Sequence, residues 1–143
     1  MIRLIIDNLV SKGYTFDGEA EDGMLVFVHE NRTPILLVEY EENLIGFISR
    51  YKINDRYKKD EKKLLQILNQ LNRESVISKY SLVVDHDYKR NQVEIRATWL
   101  PFYSADIFNQ FFHNWQFDNE KRILDADKIE DFLLLTRKSK IAG

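Results

Sequence analysis

The chain has no cysteine, so disulfides and thiol chemistry play no part in it. Glycine occurs five times, at Gly13, Gly18, Gly23, Gly46 and Gly143, too scattered to form a phosphate-cradling loop. Proline occurs twice, at Pro34 and Pro101. No apolar run approaches the roughly 20 residues that a membrane-spanning helix requires. The opening Met1-Ile2-Arg3-Leu4 turns polar at Asp7 and Asn8, before the apolar core of a signal peptide develops. Neither sign of charge dominates: 21 basic residues face 23 acidic ones, so the composition gives a nucleic-acid footprint little support. The expectation is a soluble, cytoplasmic protein with no membrane or nucleic-acid partner. Its 143 residues suit a single domain over 1–143, and a 44% hydrophobic content is too high for disorder.

What is present is an ordered change of period. Ile2, Ile5, Ile6, Leu9 and Val10 fall at helical spacing, and Gly13 stands where a helix C-cap is wanted. Strand-like segments follow from Tyr14 to Ile53, with Met24–Val28, Ile35–Val38 and Leu44–Ile48 apolar at both parities. Glu19–Gly23, Asn31-Arg32-Thr33-Pro34 and Glu41-Glu42-Asn43 supply the turns. A charged helix over about Lys58–Glu74 points Leu64, Ile67, Leu68 and Leu71 inward. Tyr80–Val84 and Val93–Trp99 make a hairpin around the polar loop His86–Asn91. The second of these strands alternates strictly, which puts Val93, Ile95, Ala97 and Trp99 in the core. Pro101 stops it, and Ser104 caps a helix with an aromatic stripe of Phe108, Phe111, Phe112 and Trp115. Ile129, Phe132, Leu133 and Leu135 form a last stripe, on one bent helix or a separate one, and Lys138–Gly143 is expected to fray. The fold class is therefore α+β, an antiparallel sheet (meander plus hairpin) with helices mainly on one face, in the order α-β-β-β-β-α-β-β-α(-α).

Charge is unevenly spread. Tyr14–Ile45 is acidic apart from Arg32, whereas Gly46–Leu65 is rich in Arg50, Lys52, Arg56, Lys58, Lys59, Lys62 and Lys63. Adjacent blocks of opposite sign read first as solvated, mutually neutralising faces. The interleaved Arg50-Tyr51-Lys52 and Arg56-Tyr57-Lys58-Lys59 could stack bases and meet phosphates. A solvated strand end and helix start explain them as well.

The second helix and hairpin carry a resemblance. Leu64–Asn72 closes on a leucine–asparagine phrase (Leu68 or Leu71, with Asn69 or Asn72). It leads through Lys79-Tyr80-Ser81-Leu82 into Gln92–Trp99. This resembles the bacterial YbjN family, whose fold is similar to that of the type III secretion chaperones, and the element order over residues 2–117 fits. The resemblance implies a fold, a tendency to pair and a chaperone-like or adaptor role. It brings no active site to carry over.

No catalytic, cofactor or metal constellation stands out. Asp85-His86-Asp87 could contribute to a metal site, but it lies where a polar turn is expected anyway. His29 ends a strand, and His113 borders the aromatic stripe. Asp17, Glu19, Glu39 and Glu41 could line an acidic cleft of a small enzyme or ligand-binding domain, without a nucleophile or histidine beside them. The leading expectation is instead a non-catalytic protein-interaction or chaperone-like adaptor domain that takes a protein partner or client and forms a homodimer. The meander holds more apolar surface than one helical layer can bury. Leu25, Phe27, Ile35, Leu37 and Phe47 are the candidates for a partner surface, unless the Ile129, Phe132 and Leu133 stripe folds over the second sheet face.

Overall fold

Residues 1–20, 22–41, 44–84, 90–100 and 102–135 are described by the structure, a computed structural model, with the backbone alone at 84, 90 and 91. Helix α1 (Ile2–Ser11) buries Ile5 and Leu9. It closes as a Schellman motif. Gly13 takes a φ of 94°, Tyr14 N–H donates to the Leu9 carbonyl, and Gly13 N–H donates to that of Val10. Tyr14 and Leu9 are both buried, which supplies the apolar contact that accompanies this cap.

The strands β1 (Thr15–Glu19), β2 (Leu25–Val28), β3 (Ile35–Glu39), β4 (Ile45–Lys52), β5 (Lys79–Val84) and β6 (Arg90–Trp99) form one sheet. Their order is β1-β2-β3-β4-β6-β5, and every pairing is antiparallel. The α+β layout with meander and hairpin is the one the sequence implies. Both edge pairings carry an irregularity, an extra residue in β1 between Phe16 and Glu19 and one in β6 between Arg90 and Gln92, opposite Val83 and Val84 of β5. Such bulges blunt an edge against further pairing.

Register fixes what the sequence leaves open, the parity of the meander. Leu25, Leu37, Phe47 and Ala97 line one row, with Phe27 opposite Ile35 and Ile45 opposite Trp99 in the rows beside it. Apart from the half-buried Leu25, these side chains are buried together with the helical stripes in one core. Phe47 packs against Phe108, Phe111 and Trp115, and Trp99 against Phe108 and Phe111. Trp99 and Ile95 are core, as their alternation requires.

Helix α2 (Glu61–Glu74) begins later than its charge pattern suggests. Asp60 is the N-cap, accepting from Lys63 N–H, and a 3₁₀ turn occupies Asp55–Tyr57. Lys58 and Lys59 thus precede the helix, where they do not oppose its dipole as first-turn residues would. Helix α3 (Ala105–Gln116) continues through a π-helical turn (Phe117–Arg122) into α4 (Ile123–Glu130). Ser104 stands at the α3 N-cap, but its side chain makes no capping hydrogen bond.

The C-terminal stripe is divided. Asp131 turns left-handed (φ 51°) and ends α4, leaving Ile129 84% exposed while Phe132 and Leu133 enter the core. Leu133 bridges Ile53, the Phe132 carbonyl accepts from Asn54 N–H, and the Lys52 carbonyl accepts from Leu134 N–H. This segment therefore joins the helix-covered core at the end of β4.

Candidate functional site

The outward sheet face takes no part in that core. Its middle row runs Val26–Leu36–Ile48–Arg96–Lys79, flanked by Val38–Gly46–Thr98 and by Arg50–Glu94–Ser81. Val26, Val28, Leu36 and Val38 are half-buried there. A β-carbon at Gly46 would come within 2.6 Å of Val38 and 2.8 Å of Tyr40, so the glycine makes room for the tyrosine ring. Arg96 donates to the Tyr40 hydroxyl. Arg50 and Arg96 reach Glu94 at 3.2 and 3.3 Å. Asp22 reaches Arg50 at 3.9 Å, which requires the β1–β2 turn to bend over this face. Ile48 and Met24 are both buried yet stand outside the main core. The result is an apolar half on β2–β3 beside an ion-paired half on β4–β6.

A buried polar hub holds the π-helical turn to the sheet. The Asp118 carboxylate accepts from the backbone N–H groups of Val76, Ile77 and Ser78 at 2.8, 2.9 and 2.9 Å. Asn119 donates to Ser49 Oγ at 2.9 Å and accepts from the Tyr51 hydroxyl at 2.9 Å. Tyr80 donates to the Asp118 carbonyl at 2.6 Å. Burial, and then the Asp118 carboxylate, push the Tyr80 phenol well above its ordinary range. Beside the same end of α3, burial and then Glu120 push Tyr14 up to about 12. Asn72 exchanges two hydrogen bonds with the Tyr80 backbone, at 2.8 and 2.9 Å, and so ties α2 to β5. Those two bonds make Asn72, rather than Asn69, the structurally occupied asparagine of the leucine–asparagine phrase.

A groove of about 390 Å³ opens between α2 and the π turn with α4. Ile67, Leu71, Phe117, Ala126 and Ile129 give it an apolar lining. Lys63 pairs with Glu130 at 3.2 Å toward one end of α2, and Glu74 with Arg122 at 3.5 Å at the other. The sequence pattern missed this groove, because it depends on the π turn and on the left-handed Asp131.

The residues singled out from sequence fall as follows. Phe27, Ile35, Leu37 and Phe47 are buried under the helices, with Leu25 half-buried beside them, so the register turns these five away from the outward face. The outward apolar parity is that of the half-buried Val26, Val28, Leu36 and Val38. Asp17, Glu19, Glu39 and Glu41 are exposed and do not line this groove. His29 packs edge-on against Tyr14 at 4.9 Å and accepts from Asn31 N–H, a local structural role. His113 is exposed, while Asp85-His86-Asp87 lies outside the described residues. Tyr51 is buried and bonded to Asn119, so its ring is not open to a base, while the half-buried Tyr57 donates its hydroxyl to the Glu130 carbonyl and carries Arg56 over its ring at 5.0 Å. Among the described residues no group of three or more His, Asp or Glu side chains is placed to hold a metal, and no helix is long and apolar enough to cross a membrane.

With the geometry in place, the comparison with solved structures is decisive for the fold. The crystal structure of YbjN from E. coli, described as a candidate transcription regulator, superposes with a TM-score of 0.73. The match covers 94% of this chain and 96% of that one at 14% identity. The fold is YbjN-like. No family model matches the sequence, and no curated protein does.

Proposed function

We propose that this protein is a non-catalytic protein-interaction domain, adaptor or chaperone-like in role, that pairs with a second copy through the outward face of β2 and β3. One observation carries the reading: Val26, Val28, Leu36 and Val38 face outward, while the spare C-terminal side chains Phe132 and Leu133 are used in the opposite core. A two-fold arrangement suits such a face, because the same apolar half then serves both copies. With the axis parallel to the strands, the basic β4–β6 half of one copy lies toward the acidic β1 edge of the other, where Asp17 and Glu19 are exposed. The fold shared with YbjN is compatible with a regulatory role exercised through protein contacts, since fold alone names no chemistry.

Sedimentation equilibrium over a wide concentration range tests the pairing. The native chain is expected to dimerise and a Leu36→Lys variant to remain monomeric. A native chain that stays monomeric at its highest soluble concentration overturns the pairing and favours a self-contained ligand-binding domain.

A further inference from the structure

The groove between α2 and α4 is a second surface, on a different part of the molecule from the outward sheet face. We infer that it receives an amphipathic helix of a partner protein, laid along α2 with its apolar side chains on Ile67, Leu71, Phe117, Ala126 and Ile129. This inference rests on the interaction role proposed above but not on self-pairing.

Three observations select that occupant. The first concerns charge. Each cation of the lining already faces a carboxylate: Lys63 with Glu130 at 3.2 Å, Lys121 with Asp125 at 2.8 Å, Arg122 with Glu74 at 3.5 Å. A phosphate or fatty-acid headgroup would have to displace a carboxylate from one of these pairs or sit against it, with like charges close together. An uncharged apolar stripe breaks none and is complementary to the neutral floor.

The second concerns backbone groups. Both walls are helical, so their own N–H and C=O groups are engaged within the walls. An extended peptide would press unsatisfied amides against an apolar floor, at about 1–3 kcal/mol for each buried group. A helix brings its backbone already satisfied.

The third concerns size and anchoring. The ion pairs at Lys63 and Glu74 bracket about 16 Å of α2, close to three turns of a docked helix. Ile129, at 84% exposure, stands at the mouth as an anchor with nothing to bury it.

The test uses three probes against the full chain. One is a stapled 14-residue helix with leucines at i, i+3, i+4 and i+7. The second is a peptide of the same composition with its leucines dispersed, and the third is palmitate. Methyl NMR follows Ile67, Leu71, Ala126 and Ile129. The striped helix is expected to shift these methyls saturably and the dispersed peptide to leave them in place. Ile129→Glu should weaken binding by about tenfold or more, and Ile129→Leu should preserve it. Because Ile129 is exposed, both variants fold. Leu36→Lys should bind the striped helix as the native chain does, which separates this inference from the dimer. Equal binding of the dispersed peptide overturns it. So do methyls that do not move, or methyls that respond to palmitate alone.

Discussion

On the inward face of the sheet, Phe47 is surrounded by Phe108, Phe111 and Trp115, and Trp99 by Phe102, Phe108 and Phe111. One residue along the same strand, Ile48 lies outward between Leu36 and Arg96, in a row that ends in Lys79. The inward face is aromatic and shared by four helical segments. The outward face is aliphatic over β2–β3, and over β4–β6 its charges are paired with one another. A single chain thus stabilises one face by packing volume and leaves the other with short side chains and ion pairs. Surface ion pairs of this kind contribute little, about 0–1 kcal/mol each. The difference separates what folds the protein from what it can offer to others.

The inward face should break hardest. Trp99→Ala removes a buried indole that packs on three aromatic rings and donates to the Phe102 carbonyl at 2.7 Å. The expected loss is about 3–5 kcal/mol, a large share of a marginal stability. Chemical denaturation reads it directly. An unchanged midpoint would mean that the assigned register is off by one residue.

Next comes the polar hub beneath that face. Asp118→Ala leaves three backbone N–H groups without their shared acceptor, a carboxylate that is itself fully buried, and the Ser78 donor is buried with it. A loss of about 2–4 kcal/mol is expected, since each buried donor left alone is costly. Hydrogen exchange at Val76, Ile77 and Ser78 should accelerate before the rest of the sheet does. If exchange rises uniformly instead, the hub is not a local fastening.

The element order, the inward strand Val93–Trp99 and the aromatic stripe were legible because each follows one clean period. The meander was half legible. Leu25-Val26-Phe27-Val28 and Ile35-Leu36-Leu37-Val38 are apolar at both parities, so hydrophobicity could not say which side faces the helices. The side with the larger, aromatic members is the one the helices cover. Asp118 and Asn119 are polar, and polarity alone gives no reason to bury them. Yet they continue the spacing of Phe108, Phe111, Phe112 and Trp115 by three and four residues, and that phase could have placed them inside. The groove was not legible, since a π turn and a left-handed aspartate leave no distinctive residue pattern.

A smaller effect is expected where the outward face is tightest. Gly46→Ala places a methyl group 2.6 Å from Val38 Cγ1 and 2.8 Å from the Tyr40 ring. Overpacking of this sort costs about 1–3 kcal/mol. Tyr40 can swing away and lose its contact with Arg96, which limits the penalty. A double variant, Gly46→Ala with Tyr40→Ala, should recover part of the loss in thermal unfolding. No recovery would place the strain in the strand and not in the side chain.

The sharpest comparison uses two neighbours in one strand. Leu37 is buried against the helices and Leu36 faces outward, so the same truncation probes the two faces with backbone, strand and residue type held constant. Leu37→Ala should cost about 2–5 kcal/mol at any protein concentration, because its partners lie within the chain. Leu36→Ala should cost about 1 kcal/mol or less in dilute solution, where a half-buried side chain loses little contact. If copies pair through this face, the Leu36→Ala penalty must grow with concentration, since association stabilises the native chain by mass action and the variant loses that share. The melting temperature of the native chain should then rise with concentration while that of Leu36→Ala stays flat. Parallel, concentration-independent curves for both would mean that the outward face is finished as it stands, closed by short side chains and the β1–β2 turn.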